Sequence, residues 1–123
     1  MENANALKLI KKIQSDLIAD GLVVENIVAD LQKLREFALL EEKPVLVKSI
    51  RLAYEHIQNN NAFLIAIPSD EPVEEEEEGA TKSEQEAKND LESLQYLLSL
   101  YKDIDNKHNL EDLRDYNTRL LAF

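Results

Sequence analysis

Residues 87–104 read Ala87-Lys88-Asn89-Asp90-Leu91-Glu92-Ser93-Leu94-Gln95-Tyr96-Leu97-Leu98-Ser99-Leu100-Tyr101-Lys102-Asp103-Ile104. Ala87, Leu91, Leu94, Leu98, Tyr101 and Ile104 recur at steps of three and four, with Leu97 and Leu100 beside them. That spacing keeps one apolar stripe on one face of a helix and excludes the strict alternation of a half-buried strand. Just upstream, Thr81-Lys82-Ser83-Glu84 has the capping-box arrangement, in which the threonine accepts from a first-turn amide and the glutamate reaches back. Burying each leucine of such a stripe contributes roughly 1.5–3 kcal/mol before ordering entropy is subtracted. An amphipathic helix with this stripe needs partners, and the rest of the chain supplies them.

The same period runs through the remainder. Ala6, Ile10, Ile13 and Leu17 form a first helix that Asp20-Gly21 ends, glycine taking the left-handed conformation of a helix terminus without steric cost. Val24, Ile27, Leu31, Leu34 and Ala38 form a second, from about Val23 to Glu41. The apolar phase carries across the break, so one long bent helix is the rival reading; Asp-Gly favours two. Pro44 opens a third helix, since proline fits the first helical position, and Leu46, Ile50, Ala53 and Ile57 continue it. Ile57, Asn60, Leu64 and Ile67 keep the phase through Asn59-Asn60-Asn61, which predicts a helix from Pro44 to about Ile67. The rival is a helix ending near Asn59 with a short strand over 62–67. Beyond the quoted stretch, residues 105–108 read as a turn and Asn109 as the cap of a final helix carrying Leu110, Leu113, Tyr116, Leu120 and Leu121.

The expectation is therefore an all-α, antiparallel bundle of four to five helices forming a single domain over 1–123. Its third and fourth helices would be a long central pair of about 24 residues, or ~36 Å, each. Composition agrees. With 44% apolar residues in 123, the chain can bury a core, and two glycines and three prolines are too few for the tight turns of an all-β fold. The absence of cysteine excludes disulfides, thiolate metal sites and cysteine nucleophiles. No apolar run is long enough to span a bilayer, and Met1-Glu2-Asn3-Ala4-Asn5 lacks the basic and apolar regions of a signal peptide. The expected location is cytoplasmic.

Net charge is −11, but its distribution is uneven. Residues 1–67 hold 8 basic and 9 acidic side chains, whereas residues 68–80 hold 7 acidic and none basic. That segment, with Glu74, Glu75, Glu76, Glu77 and Glu78 in succession, is expected to be a long acidic disordered loop. No basic cluster offers a footprint for nucleic acid, and an anionic membrane surface would repel the chain. Hence neither nucleic acid nor membrane is an expected partner.

The chain is poor in catalytic constellations. Di-metal carboxylate bundles need Glu-x-x-His pairs, and neither His56 nor His108 has a glutamate three residues before it. Asp105-x-x-His108 comes nearest, in an expected turn. His56 reads as a boundary residue off the apolar stripe, and His108 as a partner of exposed carbonyls at a helix end. None of the serines lies in a Gly-x-Ser-x-Gly elbow, and Gly21 and Gly79 cannot build a phosphate cradle. The glutamate run lacks calcium-loop spacing. Lys48, Arg51 and Glu55 share a helix face that reads as solvated. No catalytic, cofactor or metal residue is assigned.

Surplus apolar residues carry the functional expectation. Phe37, Leu39 and Leu40 lie partly off their stripe, residues 62–67 are apolar on all sides, and the chain closes on Leu120-Leu121-Ala122-Phe123. Either the bundle packs these segments centrally or a second chain covers them. The reading is a non-enzymatic protein–protein interaction module, with homodimerisation as one outcome. Phe63, Ile65, Phe123 and Glu74 to Glu78 are its candidate contact residues. The alternative is an inhibitor or immunity-type protein that binds a basic partner through acidic surface. A metal-dependent enzyme is the weaker third.

Overall fold

The computed structural model describes residues 2–66 and 91–123 and is all-helical over them. Five helices follow in order: α1 (Ala4–Asp20), α2 (Val24–Leu40), α3 (Pro44–Asn60), α4 (Leu91–Lys102) and α5 (Lys107–Ala122). The expected acidic loop 68–80, the capping box at Thr81 and residues Ile67 and Ala87 lie outside the described residues.

Local chemistry sets most of the boundaries. Asn3 starts α1 by accepting from the amides of Asn5 and Ala6 at 2.8 and 3.2 Å. Gly21, at φ +75°, ends it and donates its amide to the Leu17 carbonyl, so α1 and α2 are two helices rather than one bent rod. The α2 terminus is tighter. Lys43 N–H reaches the Ala38 carbonyl and Glu42 N–H the Leu39 carbonyl, a Schellman arrangement that puts Glu42 in the left-handed region at φ +57°. Pro44 then starts α3 directly.

Two expectations fail here, both at asparagines. The third helix does not reach Ile67: Asn61 takes the left-handed conformation at φ +55°, α3 stops at Asn60, and residues 62–66 run on as irregular backbone, neither helix nor strand. The final helix starts three residues earlier than expected, because Asn106 rather than Asn109 caps it. Asn106 accepts from the amides of His108 and Asn109 at 2.9 and 3.3 Å. The Asn109 side chain instead donates back to the Asp103 carbonyl at 2.8 Å and closes the α4–α5 turn.

The helices pack as a closed ring. α1 contacts α2, α2 contacts α3, α3 contacts α5, α5 contacts α4, and α4 returns to α1. The expected central pair is thus corrected. α3 is 17 residues long, α4 spans 12 described residues, and the two meet through a buried Ser49–Tyr101 hydrogen bond rather than as ring neighbours. An odd ring cannot alternate direction throughout. Four neighbouring pairs are antiparallel, and α3 and α5 run parallel.

Contacts at the two ends show this. One end, called the head here, joins the amides of Glu2 and Asn3 to the Glu41 carboxylate at 3.0–3.2 Å and Lys43 to Asp105 at 3.2 Å. The other end, the foot, brings His56 of α3 against Phe123 after α5. Near the foot, Gln14 and Gln95 exchange side-chain-to-carbonyl hydrogen bonds between α1 and α4. Inside the ring sit the expected stripes, from Ala6, Ile10 and Ile13 through Leu31, Leu34, Leu46 and Ile50 to Leu94, Leu98 and Leu113, all fully buried. Tyr101, Tyr116 and Phe63 are the largest side chains among them.

Candidate functional site

The most elaborate local arrangement lies at the foot, around a residue read as peripheral from the sequence. His56 is only 6% exposed, on the last turn but one of α3. Beyond the Asn61 cap, the chain turns back so that the Leu64 amide donates to His56 Nε2 at 3.0 Å. A backbone amide can only donate, so Nε2 carries no proton and the neutral ring holds its hydrogen on Nδ1. Asn60 lies 3.3 Å from Nδ1 but directs its amide to the His56 backbone carbonyl at 2.9 Å. Phe63 and Phe123 each meet the imidazole edge-to-face, with centroids at 5.5 and 4.6 Å. Burial lowers the pKa of His56 below the ordinary imidazole value. The boundary reading of His56 is corrected: its ring joins three separate parts of the chain.

Other buried polar groups are paired within the ring. Ser49 and Tyr101 share a hydrogen bond of 3.0 Å; Ser93 and Tyr116 share one of 2.8 Å, and Tyr116 also donates to the Ser93 carbonyl. Burial pushes Tyr101 well above the ordinary phenol range. Tyr96 donates to Asp112, and this bond, helped by burial, raises its pKa to about 12. Each of these pairs ties two helices together. Among the described residues, Asn117 Oδ1 in α5 and Arg35 Nε in α2 are buried without a hydrogen-bond partner.

A cleft of about 140 Å³ at the α1–α2 corner is lined by Asp16, Asp20, Asn26 and Asp30. Lys12 bridges Asp30 and Asp16 at 2.9 and 3.0 Å, and these hydrogen bonds raise its own pKa. Two of the three carboxylates therefore share one ammonium group, which offsets one of their charges. Among the described residues, no group of three or more histidine or carboxylate side chains is placed to hold a metal ion.

The sequence-derived contact residues scatter. Phe63 is fully buried and Ile65 is 5% exposed, so the bundle packs this apolar segment inside and presents neither at the surface. Phe123 is 63% exposed even while its ring rests on His56. Glu74 to Glu78 lie outside the described residues. His108 is exposed in the first turn of α5, where amides rather than free carbonyls are exposed, which corrects the carbonyl-partner reading. Arg51 and Glu55 form a half-exposed pair at 3.5 Å with Lys48 exposed nearby, as expected of a solvated face.

Of the surplus apolar residues singled out in the sequence, Leu39, Leu40, Leu121 and Phe123 are exposed, and Ile18 and Val23, which the sequence reading does not single out as contacts, join them. Among the described residues, the exposed large apolar side chains are Ile18, Val23, Leu39, Leu40, Leu121 and Phe123, and every one lies at or within two residues of a helix end. Leu39 and Leu40 belong to the head; Ile18, Val23, Leu121 and Phe123 belong to the foot. The signal was present in Ile18, which sits beside the α1 stripe but one residue outside it. No family model, curated protein or solved structure matches the chain. No helix of the described residues is long and apolar enough to cross a membrane.

Proposed function

We propose that this chain is a non-enzymatic protein–protein interaction module, working in the cytoplasm, that associates with a second copy of itself through the foot of the bundle. The observation that carries the reading is the exposure of Ile18, Val23, Leu121 and Phe123, 81, 41, 59 and 63%, at helix ends on the foot side of the ring. Together they leave on the order of 400 Å² of apolar surface in water, about half of the ~800 Å² that each partner of a stable interface covers. Charge does not oppose the contact strongly, because residues 1–67 are nearly balanced and most of the −11 belongs to residues 68–80. Neither nucleic acid nor a membrane surface is a partner in this reading.

Size-exclusion chromatography with light scattering tests it. The expected mass is twice 14.1 kDa at high concentration. The double variant Ile18→Glu, Leu121→Glu is expected to be monomeric with an unchanged helical spectrum. A wild-type chain that stays monomeric, or a dimer indifferent to both substitutions, overturns the proposal. The acidic run supports a second reading, in which a basic protein is captured by electrostatic steering. In that case deletion of residues 70–79 abolishes capture, and unchanged affinity removes the support.

A further inference from the structure

We propose that His56 is a pH-operated latch, whose protonation releases the 61–66 segment and the Phe123 ring from the foot of the bundle while the rest of the ring of helices stays folded. The inference stands independently of self-association. It rests on three observations: the Nε2 lone pair is the acceptor for the Leu64 amide at 3.0 Å, the ring is 6% exposed, and both of its faces of contact are aromatic.

A proton on Nε2 turns the acceptor into a donor aimed at another donor. The 3.0 Å contact then becomes repulsive, and the Leu64 amide loses its partner. The new charge would also sit in a largely apolar enclosure, which burial penalises further. Opening relieves both penalties by returning the imidazolium and the amide to water. The end of α3 does not depend on this bond, since the helix is already closed by the left-handed Asn61, whereas Phe63 and Ile65 belong to the buried core and oppose the opening.

Among the described residues, no carboxylate is paired with the His56 ring. On α3, Glu55 faces Arg51 at 3.5 Å, and Asn60 is occupied with the His56 carbonyl. The 61–66 segment has no ionisable side chain. On α5, Arg119 is exposed and would repel an imidazolium; Asp115 is exposed two turns before the carboxyl end at Phe123. Glu25 in the first turn of α2 is exposed. Burial alone accounts for the lowered basicity of the ring.

The sign follows. The folded pKa lies below the unfolded one, so the latch is fully closed above about pH 6.5 and weakens as pH falls below it. The opening equilibrium then rises towards tenfold per pH unit until the folded pKa is reached.

The test is NMR on the full chain carrying His108→Gln, which leaves one imidazole to follow. Amide exchange at Leu64, corrected for intrinsic rate, is compared with Leu31 in the fully buried core from pH 7.5 to 5. Leu64 protection is expected to fall in step with the His56 titration, and the Phe63 and Phe123 ring resonances to shift together, while Leu31 protection holds. His56→Gln, which keeps a neutral acceptor, is expected to make Leu64 protection independent of pH. Constant Leu64 protection through the titration overturns the proposal, as does parallel loss at Leu31 or a surviving pH dependence in His56→Gln. The wild-type comparison decides the matter even where the variant does not fold.

Discussion

Replacing Phe63 with alanine is the sharpest probe of how the chain is held together after α3. Phe63 sits on irregular backbone between Asn61 and Ala66, yet it is fully buried and meets His56 edge-to-face at 5.5 Å. An aromatic residue on a loosely attached segment would cost little to truncate, within about 0.5 kcal/mol. A core residue costs far more: Phe→Ala in a packed interior removes about 3–5 kcal/mol, of which an aromatic pair accounts for ~0.5–1.5. Against a net stability of roughly 6–18 kcal/mol for a chain of this length, that is a large fraction. The midpoint of thermal unfolding should then fall by roughly 9–20 °C, at about 3–4 °C per kcal/mol for a domain of this size. Urea unfolding followed by helical circular dichroism gives the free energy directly. The denaturant slope should stay at the wild-type value, because the cooperative unit is unchanged. A loss below about 1 kcal/mol at constant slope would refute the assignment of this segment to the core. Phe123→Ala serves as the internal reference, since a side chain 63% exposed should cost about 1 kcal/mol or less.

Other substitutions address single features. Glu42 occupies the left-handed region at φ +57° and is exposed, so Glu42→Gly should stabilise by about 0.5–1 kcal/mol in the same urea assay. Asn117 buries an unpartnered Oδ1, and Asn117→Leu, of the same branching though larger, should leave stability equal or raise it by about 1 kcal/mol; a loss above ~1 kcal/mol, shared by the smaller Asn117→Ala, would mean that the amide has a donor. Tyr96 is held at about 12 chiefly by Asp112, so Asp112→Asn should bring its tyrosinate absorbance titration back towards 10. By the same linkage, the wild-type chain loses stability as pH rises from the unfolded phenol value of about 10 towards the folded one. Lys107 opens α5 and Arg119 lies in its last turn, both exposed. Lys107→Glu and Arg119→Glu change net charge equally, yet the second should be less stable by about 1 kcal/mol at low salt, a gap that shrinks in high salt.

The helix stripes were legible in the sequence because a period of three and four is a local property. Ala6, Ile10, Ile13 and Leu17 were read as one face and are one buried face. Gly21 and Pro44 marked true boundaries for an equally local reason, their backbone dihedral preferences. Asparagines were harder. Asn106 and Asn109 are both competent caps, and only the α4–α5 turn geometry decides that Asn106 takes the amides while Asn109 donates back to Asp103. At the end of α3, the apolar run after Asn61 preserves the helical phase by accident of composition. Buried irregular backbone and helix show the same letters when every side chain is apolar. His56 was misread for a wider reason: the Leu64 amide and the Phe123 ring bury it from eight and sixty-seven positions away, and no spacing within α3 encodes that. The candidate surface shows the same limit. Ile18 and Leu121 flank their stripes in the sequence, but their exposure depends on where the ring of helices ends.

Ring closure also explains why the functional candidates collect at the foot. Five helices joined in a closed circuit must contain one parallel pair, and here it is α3 with α5. Three helix C-termini therefore meet at the foot, while the head receives three N-termini, two of them capped by asparagine and one opened by proline. C-termini leave carbonyls and the last apolar side chains without a following turn to cover them. At α3 the chain covers its own end, folding Phe63 and the Leu64 amide back onto His56. At α1 and α5 it does not, and Ile18, Leu121 and Phe123 remain in water. Phe123 belongs to both arrangements, packed on the latch by one edge and exposed on the other. Anything that loosens the imidazole therefore alters the apolar surface beside it, so a change at a single ring nitrogen is felt where a second molecule would bind.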